Sequence, residues 1–155
     1  MKKISTKKLT TKNFSKYGQV IELDKPPKNP NQMKRLGSVS IPDFQGGQAV
    51  IDVLYSYKRP LKLPQIEKHS NSTQTFIPLT EGRFLIVVGT GPKKLMAFVS
   101  NGNQGLTLRA GIWHCSPIPI DRSITFTILH RSPDVDLAFE FVDLPDNYIL
   151  LQLSP

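Results

Sequence analysis

Gly105-Leu106-Thr107-Leu108-Arg109-Ala110-Gly111-Ile112-Trp113-His114-Cys115-Ser116-Pro117 is the stretch on which the fold turns. A glycine opens it, apolar and polar residues alternate, a Trp-His pair follows, and a proline stops it. The alternation predicts a strand over Leu106–Trp113, with Leu106, Leu108, Ala110, Ile112 and His114 on one face. A strand over Ser123–Leu129 repeats the theme, since Ile124, Phe126, Ile128 and His130 share a face. Each row ends in an imidazole. A polar group there is either hydrogen-bonded structure or part of a site. The third of the chain's three histidines, His69, falls in a polar loop entering a strand over Thr73–Leu79. Chemistry near neutral pH must draw on these few groups.

The surrounding sequence reads as short strands and turns. Thr10 or Thr11 caps a helical turn containing Phe14 and Tyr17, Gly18 ends it, and Val20-Ile21 starts a strand. Pro26 to Asn31 form a loop. Strands are predicted over Leu36–Ile41 and, after a Gly46-Gly47 turn, Ala49–Tyr57. Arg83–Val88 is apolar on both faces and reads as buried on both sides. Leu95–Val99, the Asn101-Gly102 turn and a strand over Asp136–Val142 complete the set. This spacing, with little helix signal, predicts an all-β sandwich or barrel. The apolar run Tyr148–Leu153 is expected to pack on the same barrel.

Length and composition bound the function. The 155 residues suit one domain, with residues 1–8 as a basic tail. One cysteine excludes an internal disulfide and suits a reducing, cytoplasmic setting. No apolar run approaches the roughly 18 residues of a membrane span, and no signal core opens the chain. The net charge of +8 is partly local, with Lys2, Lys3, Lys7, Lys8, Lys12 and Lys16 near the start. No stacking platform or recognition helix accompanies them. They read as a solvated basic face rather than a nucleic-acid arm, and the charge suits a small anionic substrate. Phosphate loops, zinc CxxC pairs and Ser-His-Asp signatures are absent from the sequence. Pro133 places Asp134 and Asp136 in a turn, and they read as solvated.

Several pieces, in order, resemble the ureidoglycolate lyase family of the cupin superfamily. They are Leu9, Asn13-Phe14 and Tyr17–Glu22, then Leu63-Pro64, Glu67-Lys68-His69 and Thr73–Leu79. Phe84–Val88, Phe98–Gly105, Gly111–His114 and His130-Arg131 follow. The resemblance implies a cupin-type β-barrel (a double-stranded antiparallel jelly roll with a few short helices) and usually a homodimer. It implies cleavage of ureidoglycolate to glyoxylate and urea in allantoin catabolism, with a divalent metal, nickel or similar, as a possible aid. The chain departs from the family pattern at four places. Lys68 stands for an arginine, Arg109 for a histidine, Cys115 for a histidine and His130 for an aspartate.

The resemblance and the residue chemistry together name candidates. His69, His114 and His130 are candidate acid/base groups, and His69, Gln74 and His114 a candidate metal set. Lys68, Gln74, Arg109, Arg131 and Trp113 are candidate substrate contacts, a guanidinium being suited to a carboxylate. Each has a plainer alternative. The histidines can be satisfied core imidazoles, the cations surface ion pairs, Gln74 a sheet hydrogen bond, and Trp113 packing. Cys115 is either a third, softer metal ligand or a buried thiol. Two other functions fit the same residues: a cupin enzyme for another small anionic ureido or hydroxy acid, and a non-catalytic binding or interaction domain.

Overall fold

The computed structural model describes residues 3–23, 25–132 and 139–145, which form two β-sheets around a shared apolar interior. The strands are β1 (Thr6–Lys8), β2 (Gly18–Glu22), β3 (Ala49–Ser56), β4 (Gln65–His69), β5 (Gln74–Pro78), β6 (Phe84–Gly89), β7 (Leu95–Val99), β8 (Gln104–Leu108), β9 (Trp113–His114), β10 (Ile118–Pro119), β11 (Ile124–Arg131) and β12 (Phe139–Asp143), and α1 (Thr11–Phe14) is a single helical turn. One sheet runs β1-β7-β6-β9-β4-β12, with β10 also paired to β6. The other runs β2-β8-β5-β11-β3. Among the described residues, all pairings are antiparallel except β1 with β7.

The period of two in each strand sorts side chains into two clusters. Phe84, Ile86, Val88 and Phe98 of the first sheet meet Phe76, Leu106, Leu108, Ile124 and Phe126 of the second. On the other face of the first sheet, Leu85 and Val87 pack with Ile4, Leu63, Ile66, Trp113, Cys115 and Ile118. β6 is therefore buried on both faces, as its unbroken apolar run predicts. Phe126 sits at the centre of the interior, edge-on to Phe84 and Phe76 with ring centroids 5.4 and 6.4 Å away.

Five expectations change. The strand expected over Leu106–Trp113 is two strands in two sheets: β8 ends at Leu108 and a turn intervenes before β9. Gly111 makes that turn with φ +79°, a conformation a Cβ disfavours. Leu108 and His114 still face the interior, but from opposite sheets. His69, expected in a loop, ends β4. Gly18 does not stop a helix, because α1 ends at Phe14 and Gly18 opens β2. It is glycine because a Cβ there would lie 1.8 Å from the Thr107 carbonyl oxygen. Residues 36–41 form no strand; Ser40 is tied to the Gln19 side chain instead. Finally, Thr6–Lys8 of the expected tail pair with β7, and Ile4 is buried. Thr10 caps α1 as expected, accepting from the Asn13 N–H at 3.1 Å. Asp134, Asp136 and the run 148–153 lie outside the described residues.

Candidate metal and acid/base site

β4 carries Glu67 and His69 two residues apart, so both face the interior while Ile66 and Lys68 face the other way. β9 is antiparallel to β4 with His114 opposite Glu67. One ligand atom from each of Glu67, His69 and His114 lies within 4.8 Å of the others. The rings of His69 and His114 stack at 5.6 Å, and Phe139 of β12 covers His69 at 4.6 Å. Gln74, at the start of β5, reaches across from the second sheet to put Oε1 2.7 Å from His114 Nε2.

Hydrogen bonds set the chemistry of His114. Its Nδ1 lies 2.9 Å from the Ile112 carbonyl oxygen, an acceptor only, so Nδ1–H donates. Nε2 then faces Gln74 and the Glu67 carboxylate, whose Oε1 is 3.3 Å away. A protonated ring donates to these oxygens. A neutral ring presents a lone pair, as a metal ligand does when its other nitrogen is held by a carbonyl. Burial alone would raise the Glu67 pKa. The His114 hydrogen bond and the charges of His114, His69 and His130 outweigh it, and the carboxyl is held below its ordinary range. A carboxylate and two imidazoles around one point form a donor set suited to a first-row divalent ion, and the orientation of His114 fits it.

The remaining candidates divide. His130 faces the interior from β11, with Nε2 2.8 Å from Asp52 Oδ2. Lys68 and Trp113 lie on the opposite face, the ammonium 5.0 Å from the ring centroid, with Lys68 also paired to Glu140. Arg109 is exposed and its side chain turns to the Ser15 carbonyl. Arg131, next to His130, points to the outer face, where it donates to the Phe44 carbonyl and packs on Gly47. None of these four side chains joins the cluster. Cys115 turns into the second apolar cluster, and burial pushes its thiol up to about 11.

Sequence reading missed Glu67 as a site residue. The signal was present, since a Glu-x-His triplet on a strand puts both side chains on one face. It also missed a cavity of about 170 Å³ beside Glu67 and His114, on which Arg59 and Lys62 border. Nothing local in the sequence marks Asp52, which only sheet pairing brings to His130.

Comparison with known proteins gives one answer. The ureidoglycolate lyase family model matches residues 1–147. The ureidoglycolate lyase of Pseudomonas savastanoi pv. phaseolicola is 31% identical, covering 100% of this chain and 98% of its own. That of Pseudomonas syringae pv. tomato is 34% identical over 85% of each chain. Among solved structures, a dTDP sugar isomerase from Desulfovibrio desulfuricans G20 superposes with a TM-score of 0.51 at 17% identity, over 84% of this chain and 85% of that one. That likeness concerns the fold, which is all-β and cupin-type. With a family model spanning nearly its whole length, this chain belongs to the ureidoglycolate lyase family.

Proposed function

We propose that the protein is a lyase that cleaves ureidoglycolate to glyoxylate and urea, at the site formed by Glu67, His69 and His114. The observation that carries this reading is the convergence of those three side chains, from β4 and β9, within 4.8 Å. The substrate is a hemiaminal bearing a carboxylate. Its hydroxyl loses a proton, the C–O bond becomes a carbonyl, the C–N bond breaks, and the nitrogen leaves with the electron pair and takes up a proton. No net oxidation occurs and one proton moves from oxygen to nitrogen. Glu67, His69 and His114 would hold a divalent ion such as nickel, and the ion would polarise the hydroxyl and lower its pKa. His130 is the imidazole left over for proton transfer. Arg59 and Lys62, bordering the neighbouring cavity, supply positive charge for the carboxylate.

The test is glyoxylate release from ureidoglycolate by protein stripped of metal and resupplied with nickel, manganese or zinc. Nickel uptake, read by calorimetry, runs alongside. Release above the spontaneous rate and uptake of one ion per chain are expected, and Glu67→Gln is expected to weaken uptake. Release no faster than the spontaneous rate under every metal condition sinks the lyase reading.

We infer further that the protein works as a homodimer in the cytoplasm, in allantoin breakdown. The single buried thiol suits a reducing compartment. Among the described residues no helix is long and apolar enough to cross a membrane. Ile51, Val53 and Tyr55 stand exposed on the outward face of the edge strand β3, with Tyr57 just beyond, and such a stripe suits a partner copy. Sedimentation should give a dimer that Val53→Lys converts to monomer. A wild-type monomer at micromolar concentration refutes the pairing.

A further inference from the structure

Asp52 and His130 form a pair that the candidate ligand set does not use. β3 and β11 are antiparallel, with His130 opposite Val50 and Ile128 opposite Asp52. Asp52 and His130 are thus diagonal neighbours, and both lie on the face that carries Leu54, Ile128 and Phe126 to the interior. The Asp52 side chain is 55% exposed, whereas that of His130 is 11% exposed. A carboxylate in contact with water therefore stands over an imidazole that is mostly out of it.

The contact is directional. An ionised carboxylate only accepts, so the 2.8 Å contact from His130 Nε2 to Asp52 Oδ2 requires the proton on Nε2. A neutral ring then carries its lone pair on Nδ1. Should that nitrogen take a proton, the imidazolium has its counter-charge already in place. The backbone holds the ring near the cluster. One residue past the Leu129–Thr75 pair, His130 runs alongside Gln74, whose amide touches His114. Just beyond, the Arg131 N–H donates to Ser72 Oγ at 3.2 Å, which keeps β11 against this end of β5.

We propose that Asp52 is a positioning residue for His130. Its carboxylate holds the ring as the Nε2–H tautomer and leaves Nδ1 to take the substrate hydroxyl proton. The inference rests on the lyase reading. In the step, the O–H bond breaks and an Nδ1–H bond forms, and the electron pair left on oxygen makes the carbonyl. The C–N bond breaks with its pair on nitrogen. Nδ1 then returns the proton to the departing urea nitrogen. Base and acid are one group, and Asp52 touches no reacting atom.

A double-mutant cycle with a spectroscopic arm tests this. His130→Ala is expected to lower kcat by about 10²- to 10⁴-fold. Asp52→Ala is expected to give part of that loss with KM near wild type, and the double variant to be no slower than His130→Ala, because Asp52 acts only through the ring. Nitrogen-edited imidazole spectra of the wild type should show His130 protonated on Nε2, with the tautomers mixed in Asp52→Ala. Asp52→Asn keeps the size of the residue without its charge, and supplies the reading should the alanine variant unfold. Additive losses, or a wild-type His130 protonated on Nδ1, overturn the proposal. Wild-type release that survives both single changes overturns it while leaving the lyase reading intact. No release by the wild type overturns the lyase reading and with it the catalytic role, and the spectra still report whether Asp52 sets the tautomer.

Discussion

Replacing His114 with alanine is expected to reduce glyoxylate release to the spontaneous rate and to abolish tight nickel binding. His114 is almost fully buried and holds three relations at once: Nδ1–H to the Ile112 carbonyl, and Nε2 toward both Gln74 and Glu67. Removing the ring takes away one of the three donors that converge there and strips Gln74 and Glu67 of a partner. An acid/base role alone is worth about 10²- to 10⁴-fold, and loss of a ligand adds to it. β9 has only two residues, so a thermal melt of the variant must accompany the assay. A folded His114→Ala protein that still released glyoxylate at the wild-type rate would move the chemistry away from this cluster.

The largest expected loss of stability follows Phe126→Ala. The side chain is fully buried and touches aromatic rings from both sheets. Truncation there leaves a cavity between the layers and costs about 3–5 kcal/mol, against a total of roughly 5–15 kcal/mol for a domain. With a urea slope of about 2 kcal/mol per molar, the unfolding midpoint should fall by about 2 M at unchanged slope. Met33→Ala is the control, since Met33 is 99% exposed. Equal shifts in the two variants would show that the interior does not close around Phe126 as described.

The sequence was most legible where burial alone sets the pattern. β6 and β7 are apolar runs bounded by glycine turns, and both form close to where they were expected. β4 was missed because its inward residues are Glu67 and His69. A site residue placed where an apolar one belongs erases the alternation that marks a strand. The opposite error arose around Gly111. Alternation carries on through the corner, since Leu108 and His114 both face the interior, yet the backbone has changed sheets between them. Periodicity reports facing and is blind to which sheet supplies it. The histidines could be read as interior because they end apolar rows. Their partners could not, because Asp52 and Gln74 reach them only through long-range pairing. Arg131 turns away from the cluster for a related reason. A guanidinium suits a carboxylate in principle, but Arg131 follows His130 by one residue and so must face the other way.

Cys115 faces away from His114 for the same reason, and this gives the protein its own reporter of access. The thiol is shielded in the outer cluster, and burial pushes it up to about 11, so little thiolate is present at neutral pH. Cys115 also lines the cavity beside Glu67 and His114, so an alkylating reagent reaches it by way of that cavity. The rate at which a single label enters the native protein therefore measures how readily the cavity admits a small molecule, without denaturant and without an engineered probe.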